Sequence, residues 1–343
     1  MILLRTAQKD DLADICQLAD QGGVIGITTL PNNIDLLTTR LAWSTASFKK
    51  TVTLPGHEYY LFVLEDTNTG KVVGTSAIEA SIGVNSPFYS YQVSMQTCVC
   101  HALNIQTDYK ILNLVNDYHG YTEICTLFLD PVYRKHNNGL LLSRARFLFM
   151  ANHPRRFSNT IIAEMRGLSD EAGRSPFWEH IGAHFFQMSF ATADRLTLST
   201  DKQFIADLMP KNSIYVNLLH PEAQAVIGIP HPSSQPAMNI LNREGFHYNH
   251  YIDIFDAGPT IEAPRDQIRT SAQSQVLVFK NRRDAISGPL FIIGTTTLDY
   301  RATIGPVEIN PQEGTCSLTP DIAALLQVNS LDKLRISPLL MDQ

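Results

Sequence analysis

The sequence predicts a mixed α/β (α+β) fold, and three observations carry that prediction. Apolar runs of strand period alternate with runs of helical period. One buried-strand pattern, residues 122–129, passes through an Asn- and Gly-rich turn straight into an amphipathic run at 140–151. Beyond residue 264 only short β-rich runs remain. At 343 residues the chain exceeds the roughly 100–200 residues of a single domain, so more than one unit is expected.

Leu3, Leu4 and Arg5 form the first strand candidate. Asp10 and Asp11 open a helix that sets Leu12, Ile15, Cys16 and Leu18 on one face and ends at Gly22-Gly23. Residues 24–32 read as a loop closing on Thr28-Thr29-Leu30-Pro31, and a second helix follows over about 33–49. Residues 59–64, aromatic and β-branched, are a strand; Asp66-Thr67-Asn68-Thr69-Gly70 turns the chain; residues 72–78 return as an antiparallel partner. Residues 88–103 read as further extended chain. The strand at 122–129 stops at Asp130-Pro131. In the helix at 140–151, Leu141, Ala145, Leu148 and Phe149 share one face, and Ser143 and Arg146 another. Residues 160–165 form the next strand, and Ser175-Pro176 opens a further helix.

An internal echo follows. Phe177-Trp178-Glu179-His180-Ile181-Gly182 precedes Phe185-Phe186, and the run from Met238 to Gly245 precedes Tyr251-Ile252-Asp253-Ile254-Phe255 with the same cadence. Two related α/β units in tandem are therefore expected. After Ala263, strands at 276–279, 290–293 and 302–304 indicate a small β-rich region. The expected domains are 1–195, 196–265 and 266–343.

Charge and composition exclude several classes. Lys and Arg total 27 against 33 Asp and Glu, a net charge of −6, which argues against a nucleic-acid partner. The first residues are too short an apolar run for a signal peptide, and no stretch approaches the ~20 apolar residues of a membrane span. The five cysteines are odd in number and scattered, as expected of free thiols in a cytoplasmic protein without a metal framework.

The chemically informative unit is residues 122–151. A helix N-terminus offers unpaired N–H groups and a partial positive charge, which suit a pyrophosphate. Gly139 admits close backbone approach, and Arg134 and Lys135 can add charge. A plain strand–loop–helix crossover would look the same at this level.

The order of elements resembles the GNAT acyltransferases. That resemblance implies a mixed sheet splayed between its fourth and fifth strands, with acyl-CoA in the split. Its pantetheine would lie on the strand edge near residues 125–129 and its pyrophosphate on the turn at 134–139. Longer strings narrow the likeness: Tyr60-Leu61-Phe62-Val63-Leu64-Glu65-Asp66, Cys125-Thr126-Leu127-Phe128-Leu129-Asp130-Pro131, Ala163-Glu164-Met165-Arg166-Gly167, Ser175-Pro176-Phe177-Trp178 and Tyr251-Ile252-Asp253-Ile254-Phe255-Asp256. Over roughly residues 1–270 the chain is similar to the arginine N-succinyltransferases (arginine/ornithine succinyltransferase family).

The resemblance implies transfer of a succinyl group from succinyl-CoA, a cosubstrate, to the α-amine of arginine, the first step of arginine breakdown by this route, with no further cofactor. It carries the family's catalytic His, the proton donor, onto His231 in Ile227-Gly228-Ile229-Pro230-His231-Pro232, and its succinyl-CoA contact onto Leu127. An imidazole with a pKa near ~6.5 suits proton transfer at neutral pH. Arg134, Asn138 and Gly139 are expected on the CoA phosphates, Arg166 on a substrate carboxylate, and Glu164 or Asp117 on a guanidinium. Cys125 lies on the acyl-CoA strand; an acyl-Cys intermediate is the alternative there to inert packing and direct transfer.

Residues 92–106, 114–121 and 22–30 depart from the family's runs, and the chain after about 270 matches poorly. Ornithine or another amine is therefore kept as an alternative acceptor, and a non-catalytic acyl-CoA-binding subunit as an alternative role. The resemblance also implies a homo-oligomer or pairing with a related subunit.

Overall fold

The computed structural model describes residues 1–25, 30–170, 172–199 and 202–339. Part of the expected loop, at residues 26–29, lies outside them. The strands are β1 (Ile2–Thr6), β2 (Tyr59–Asp66), β3 (Lys71–Glu79), β4 (Ser90–Cys100), β5 (Ile105–Val115), β6 (Thr122–Leu129), β7 (Thr160–Glu164) and β8 (Ile214–Tyr215). They continue with β9 (His247–Asp253), β10 (Pro259–Pro264), β11 (Gln275–Arg282), β12 (Leu290–Thr295), β13 (Arg301–Pro306), β14 (Glu308–Asn310), β15 (Thr315–Leu318) and β16 (Lys333–Pro338). All of them join one sheet, in the order β14-β15-β11-β16-β12-β13-β1-β2-β3-β6-β7-β10-β9-β4-β5-β8.

The first helix, α1 (Leu12–Ile25), follows a 3-10 turn at Lys9–Asp11, and Arg5 bridges Asp11 and Glu65 from β1. It runs past the expected stop: Gly22 is buried, and packing holds the helix through two weak helix formers. The second, α2 (Ile34–Lys49), starts where Asn33 Oδ1 accepts from the N–H groups of Asp35 and Leu36. The third, α3, spans Asn138–Asn152.

Strand β2 is apolar at nearly every position because both faces are covered. Leu61 and Val63 face the core with Ile15, Leu18, Leu37 and Leu41 of α1 and α2. Tyr60, Phe62 and Leu64 face the other way, among Leu142, Leu148 and Phe149 of α3.

The face of α3 expected to be polar is buried too. From Leu141 to Met150 every side chain is buried, Arg144 and Arg146 included. The segment after residue 264 covers it. Tyr300 Oη donates to Ala145 O at 2.9 Å, and Arg144 reaches Leu339 O, Thr270 Oγ1 and the buried carboxylate of Glu244.

Residues 247–264, expected within a second unit at 196–265, extend the same sheet: β10 pairs with β7, and β9 pairs with β10 and β4. The expected extended stretch at 88–103 is one arm of the long hairpin β4–β5. Short helices between residues 176 and 226 pack a second core around Trp178, Phe177 and Tyr91. The C-terminal strands add to the sheet beyond β1 through β13 and carry their own core with Ile322 and Leu326.

Candidate active site

Strand β6 is paired with β3 from Glu123 to Leu129. On its other edge it meets β7, in parallel, only at Thr122 and Glu123. From Ile124 onward the two central strands part, and a cavity of about 640 Å³ opens between them. Residues 124–129 form one wall, 163–166 the other; the turn at 134–140 closes one end. Such an unpaired edge leaves main-chain donors and acceptors for a ligand.

The wall of β6 is irregular. Its register with β3 shifts between Thr75 and Ala77, and Thr126 takes φ +57°. A β-branched residue adopts that conformation only where the surroundings enforce it. Thr75 Oγ1 donates to Thr126 O at 3.0 Å, and Tyr59 Oη lies 3.1 Å from Thr126 Oγ1. Leu127 follows the bulge and lines the cavity.

At the closed end, His136 and Asn137 both have positive φ, which swings the chain into α3. The Asn138 N–H bonds Lys135 O, and its side-chain amide donates to Tyr133 O, so this residue builds the turn. The Leu141 N–H bonds Asn137 O. Between them the N–H groups of Gly139 and Leu140 have no backbone acceptor among the described residues. A Cβ at Gly139 would meet nothing within 4 Å. Arg134 folds over this corner, donating from Nε to Leu129 O at 3.0 Å.

The lining is also acidic. Glu79, Glu123, Glu164 and Asp253 all line the cavity. Burial pushes the Glu123 carboxyl up, and the charge of Glu79 adds to it. Burial and the neighbouring charges of Asp253 and Glu123 push Glu164 well above the usual carboxylate range. Burial and Asp256 do the same to Asp253. Lys202 and Arg40 offset part of this repulsion. Such a lining gains most from a cation.

Arg166 is committed elsewhere. Its two terminal nitrogens reach Asp194 at 3.3 and 3.2 Å, and its Cζ stacks 4.9 Å from the Phe190 ring. Nε lies 3.3 Å from Asp256 Oδ2, near enough for charge attraction but without hydrogen-bond geometry. Burial works against its charge, yet Asp194 and Asp256 raise its pKa overall.

Leu127, Arg134, Asn138, Gly139, Glu164 and Arg166 thus line one cavity; His231 is not among its lining residues, but its neighbour Ser233 and its backbone partner Arg166 are. The His231 N–H donates to Arg166 O at 2.7 Å, and Pro230 bridges to Gly167. That seam needs glycine: a Cβ on Gly258 would sit 2.0 Å from Met165 O, and one on Gly167 2.2 Å from Asp256 O. The His231 Nδ1 lies 2.6 Å from Ser233 Oγ and accepts from the Ser233 N–H at 3.2 Å. Ser233 itself lines the cavity. With Nδ1 accepting, a neutral ring carries its proton on Nε2.

Asp117 is not among the lining residues; it accepts from Tyr251 Oη at 2.8 Å. Burial, with Glu123 nearby, pushes the Cys125 thiol up, the reverse of an activated nucleophile. Sequence reading missed Glu123, Asp253 and Arg146, whose spacing along the chain gives no local signal. Away from the cavity lining, His180, His220 and Glu222 bring ligand atoms within 4.8 Å of one another on the surface. There the Glu222 N–H already donates to His220 Nδ1.

Residues 2–270 match the family model described as arginine N-succinyltransferase beta subunit, and 276–338 match the model of its C-terminal domain. The second match corrects the expectation that the chain after about 270 departs from the family. The chain is 43% identical over 339 residues to an arginine N-succinyltransferase of Yersinia enterocolitica, covering 98% of this chain and 97% of that one. It is 43% identical to the arginine N-succinyltransferase subunit beta of Pseudomonas aeruginosa, covering 98% of each. The solved structure of arginine/ornithine succinyltransferase subunit AI from Pseudomonas aeruginosa superposes with a TM-score of 0.90 at 35% identity, covering 99% of both chains.

Proposed function

The chain belongs to the arginine N-succinyltransferase family, and we propose that it transfers the succinyl group of succinyl-CoA to the α-amine of L-arginine, releasing CoA. The observation that carries this reading is the split between β6 and β7, with an anion-binding turn at one end and carboxylates along its lining.

In this reading the pantetheine lies along the free edge of β6. The pyrophosphate sits on the Gly139 and Leu140 N–H groups at the start of α3, with Arg134 beside it. The thioester lies against the bulge at Thr126 and Leu127, where backbone N–H groups can polarise its carbonyl. Glu164, Glu123 and Asp253 hold the positive groups of arginine. Their pKa values, raised toward neutrality, also suit one of them to accept the proton that the α-amine must lose before it attacks. The new C–N bond forms as the C–S bond breaks. His231, carried by residues 196–265 and held in register by Ser233, gives its Nε2 proton to the departing thiolate and is reprotonated by the second proton that the nitrogen sheds as the amide forms.

No cofactor beyond the cosubstrate enters this scheme. None of the described helices is long and apolar enough to cross a membrane, and we place the reaction in the cytoplasm. Relatives named as subunits support assembly with a second copy or a related chain. Ornithine is the second acceptor to test, because the name of one solved relative includes it.

The test is release of free thiol from succinyl-CoA with a panel of amines. Thiol release with arginine, lowered about 100-fold or more in His231→Ala, supports the reading. Tight CoA binding with no turnover on any amine would replace it with a non-catalytic subunit.

A further inference from the structure

Arg146 is the cavity's anomalous cation. It stands two turns into α3, is 1% exposed, and lines the split. Its Nε donates to Ser143 O at 3.0 Å, Nη1 to Ala77 O at 3.3 Å and Cys125 O at 3.4 Å, and Nη2 to Ser143 Oγ at 3.3 Å. All four acceptors are neutral, three of the bonds are long, and a guanidinium has five N–H groups. One N–H on Nη2 is left over. Among the described residues no carboxylate comes within ion-pair distance of it, whereas buried Arg144 holds Glu244 and Arg166 holds Asp194 and Asp256.

The other cations of the cavity have local reasons to be there. Arg166 is committed to Asp194 and Asp256, Arg40 and Lys202 sit in the field of Glu79 and Glu123, and Arg134 and the exposed Lys135 cover the phosphate corner. Arg146 has none. Burial presses its pKa down to about 10, which reports how poorly its charge is compensated. A buried, unpaired guanidinium is strongly unfavourable unless an anion arrives.

Its place says which anion. Ala77 O and Cys125 O flank the register break at Thr126, the point where the thioester carbonyl lies in the acyl-CoA reading. A succinyl chain carries its free carboxylate two methylenes beyond that carbonyl. We infer that Arg146 binds the distal carboxylate of the acyl group and so selects dicarboxylic half-thioesters over neutral acyl-CoA donors. The inference rests on the acyl-CoA reading of the split and adds to it the source of donor specificity.

Butyryl-CoA is the control donor, because it replaces the carboxylate with a methyl group and keeps the length. The full chain and its Arg146→Met and Arg146→Lys variants are assayed with both donors at saturating arginine. Truncating one partner of a buried charge pair predicts that Arg146→Met lowers kcat/KM for succinyl-CoA by about 100-fold or more. Turnover of butyryl-CoA should hold or rise, so that the preference collapses; Arg146→Lys should fall between. An equal loss on both donors would make Arg146 only a clamp on the bulge and would overturn the inference, as would an intact preference in Arg146→Met.

Should the variants fail to fold, calorimetry on the wild-type chain decides. With CoA bound, succinate must bind at least about 10-fold more tightly than butyrate; equal binding overturns the inference. The binding measurement also separates the two proposals. A chain that turns over no acyl-CoA but loses its binding preference for succinyl-CoA over butyryl-CoA in Arg146→Met would defeat the proposed catalysis and uphold Arg146.

Discussion

Replacing Gly139 with Asp separates the stability of α3 from its use as an anion cradle. A Cβ at Gly139 meets nothing within 4 Å, so the new side chain has room. The site lies in the first turn of a 15-residue helix, where a carboxylate is favoured by the helix dipole and where losing glycine removes backbone entropy from the unfolded chain. Folding stability should therefore hold or rise by up to about 1 kcal/mol. The same carboxylate would stand beside the pyrophosphate. One unit charge ~6 Å from another at an effective dielectric of ~20 costs about 3 kcal/mol, and salt and solvent reduce this to roughly 1–3 kcal/mol. KM for succinyl-CoA should then rise about 10- to 100-fold with kcat little changed. Thermal melts and thiol-release kinetics at two salt concentrations read both effects, and the defect should shrink at high salt. An unchanged KM with a normal melt would mean that no phosphate sits at this helix end.

Other perturbations test other parts of the site. Removing the imidazole in His231→Ala should lower kcat about 10²- to 10⁴-fold; among the described residues the half-buried ring bonds only to Ser233, so the melting temperature should hardly move, and a variant of normal kcat would clear His231 of any role. Glu123 and Asp253 are raised to about 7 and about 8 by burial and like charge, and Glu164 is raised in the same way. Between the ordinary carboxylate range and those values the folded chain holds more protons than the unfolded one, so ligand-free stability should fall as pH rises from 5 to 8. Arginine should offset that fall and release protons on binding, measurable by calorimetry in buffers of different ionisation enthalpy; a flat pH profile with no proton release would contradict the assignment. Gly258→Ala forces a methyl group to within 2.0 Å of Met165 O, so urea unfolding should show a loss of roughly 1–3 kcal/mol. Activity should fall with it, because Arg166 O anchors the His231 backbone beside that seam; wild-type stability would show that the seam can yield freely.

Elements that announce themselves locally were readable in the chain. The hairpin at 59–78, the strand at 122–129 and the start of α2 at Asn33 each combine an apolar period with turn or cap residues inside one window. The helix end at Gly22-Gly23 was misplaced because propensity is a weak prior against tertiary packing around a buried Gly22. Strand β5 escaped because Asp108, Lys110 and Asn113 interrupt it on an arm that is largely exposed, where no core face imposes an apolar alternation.

The site was legible along the backbone and obscure in its charges. Arg134, Asn138 and Gly139 fall within one turn, so a strand feeding a helix through Asn and Gly is enough to suspect an anion cradle. The bulge at Thr126 leaves no trace in a run that reads as continuous strand; it exists because β3 and β6 slip by one residue and Thr75 and Tyr59 hold the result. Helical period gives the phase of Arg146 on α3 but not what covers that phase. Here it faces the β3–β6 bulge inside the protein, so a residue off the apolar face becomes a buried charge.

The carboxylates and Arg146 are two halves of one electrostatic arrangement. Glu79, Glu123, Glu164 and Asp253 come from four separate strands: the first two face each other across the β3–β6 pairing, and all four line the split. Arg146 reaches the same split from α3, beneath the opposite strand. In a closed sheet neither group would be tolerable, since each would bury charge of one sign without its complement. An open split lets the complement be supplied from outside, by an anionic donor on one side and a cationic acceptor on the other. On the proposed reading the strand separation and the raised carboxylate titrations share one cause: the interior is charged for a pair of ligands rather than for itself.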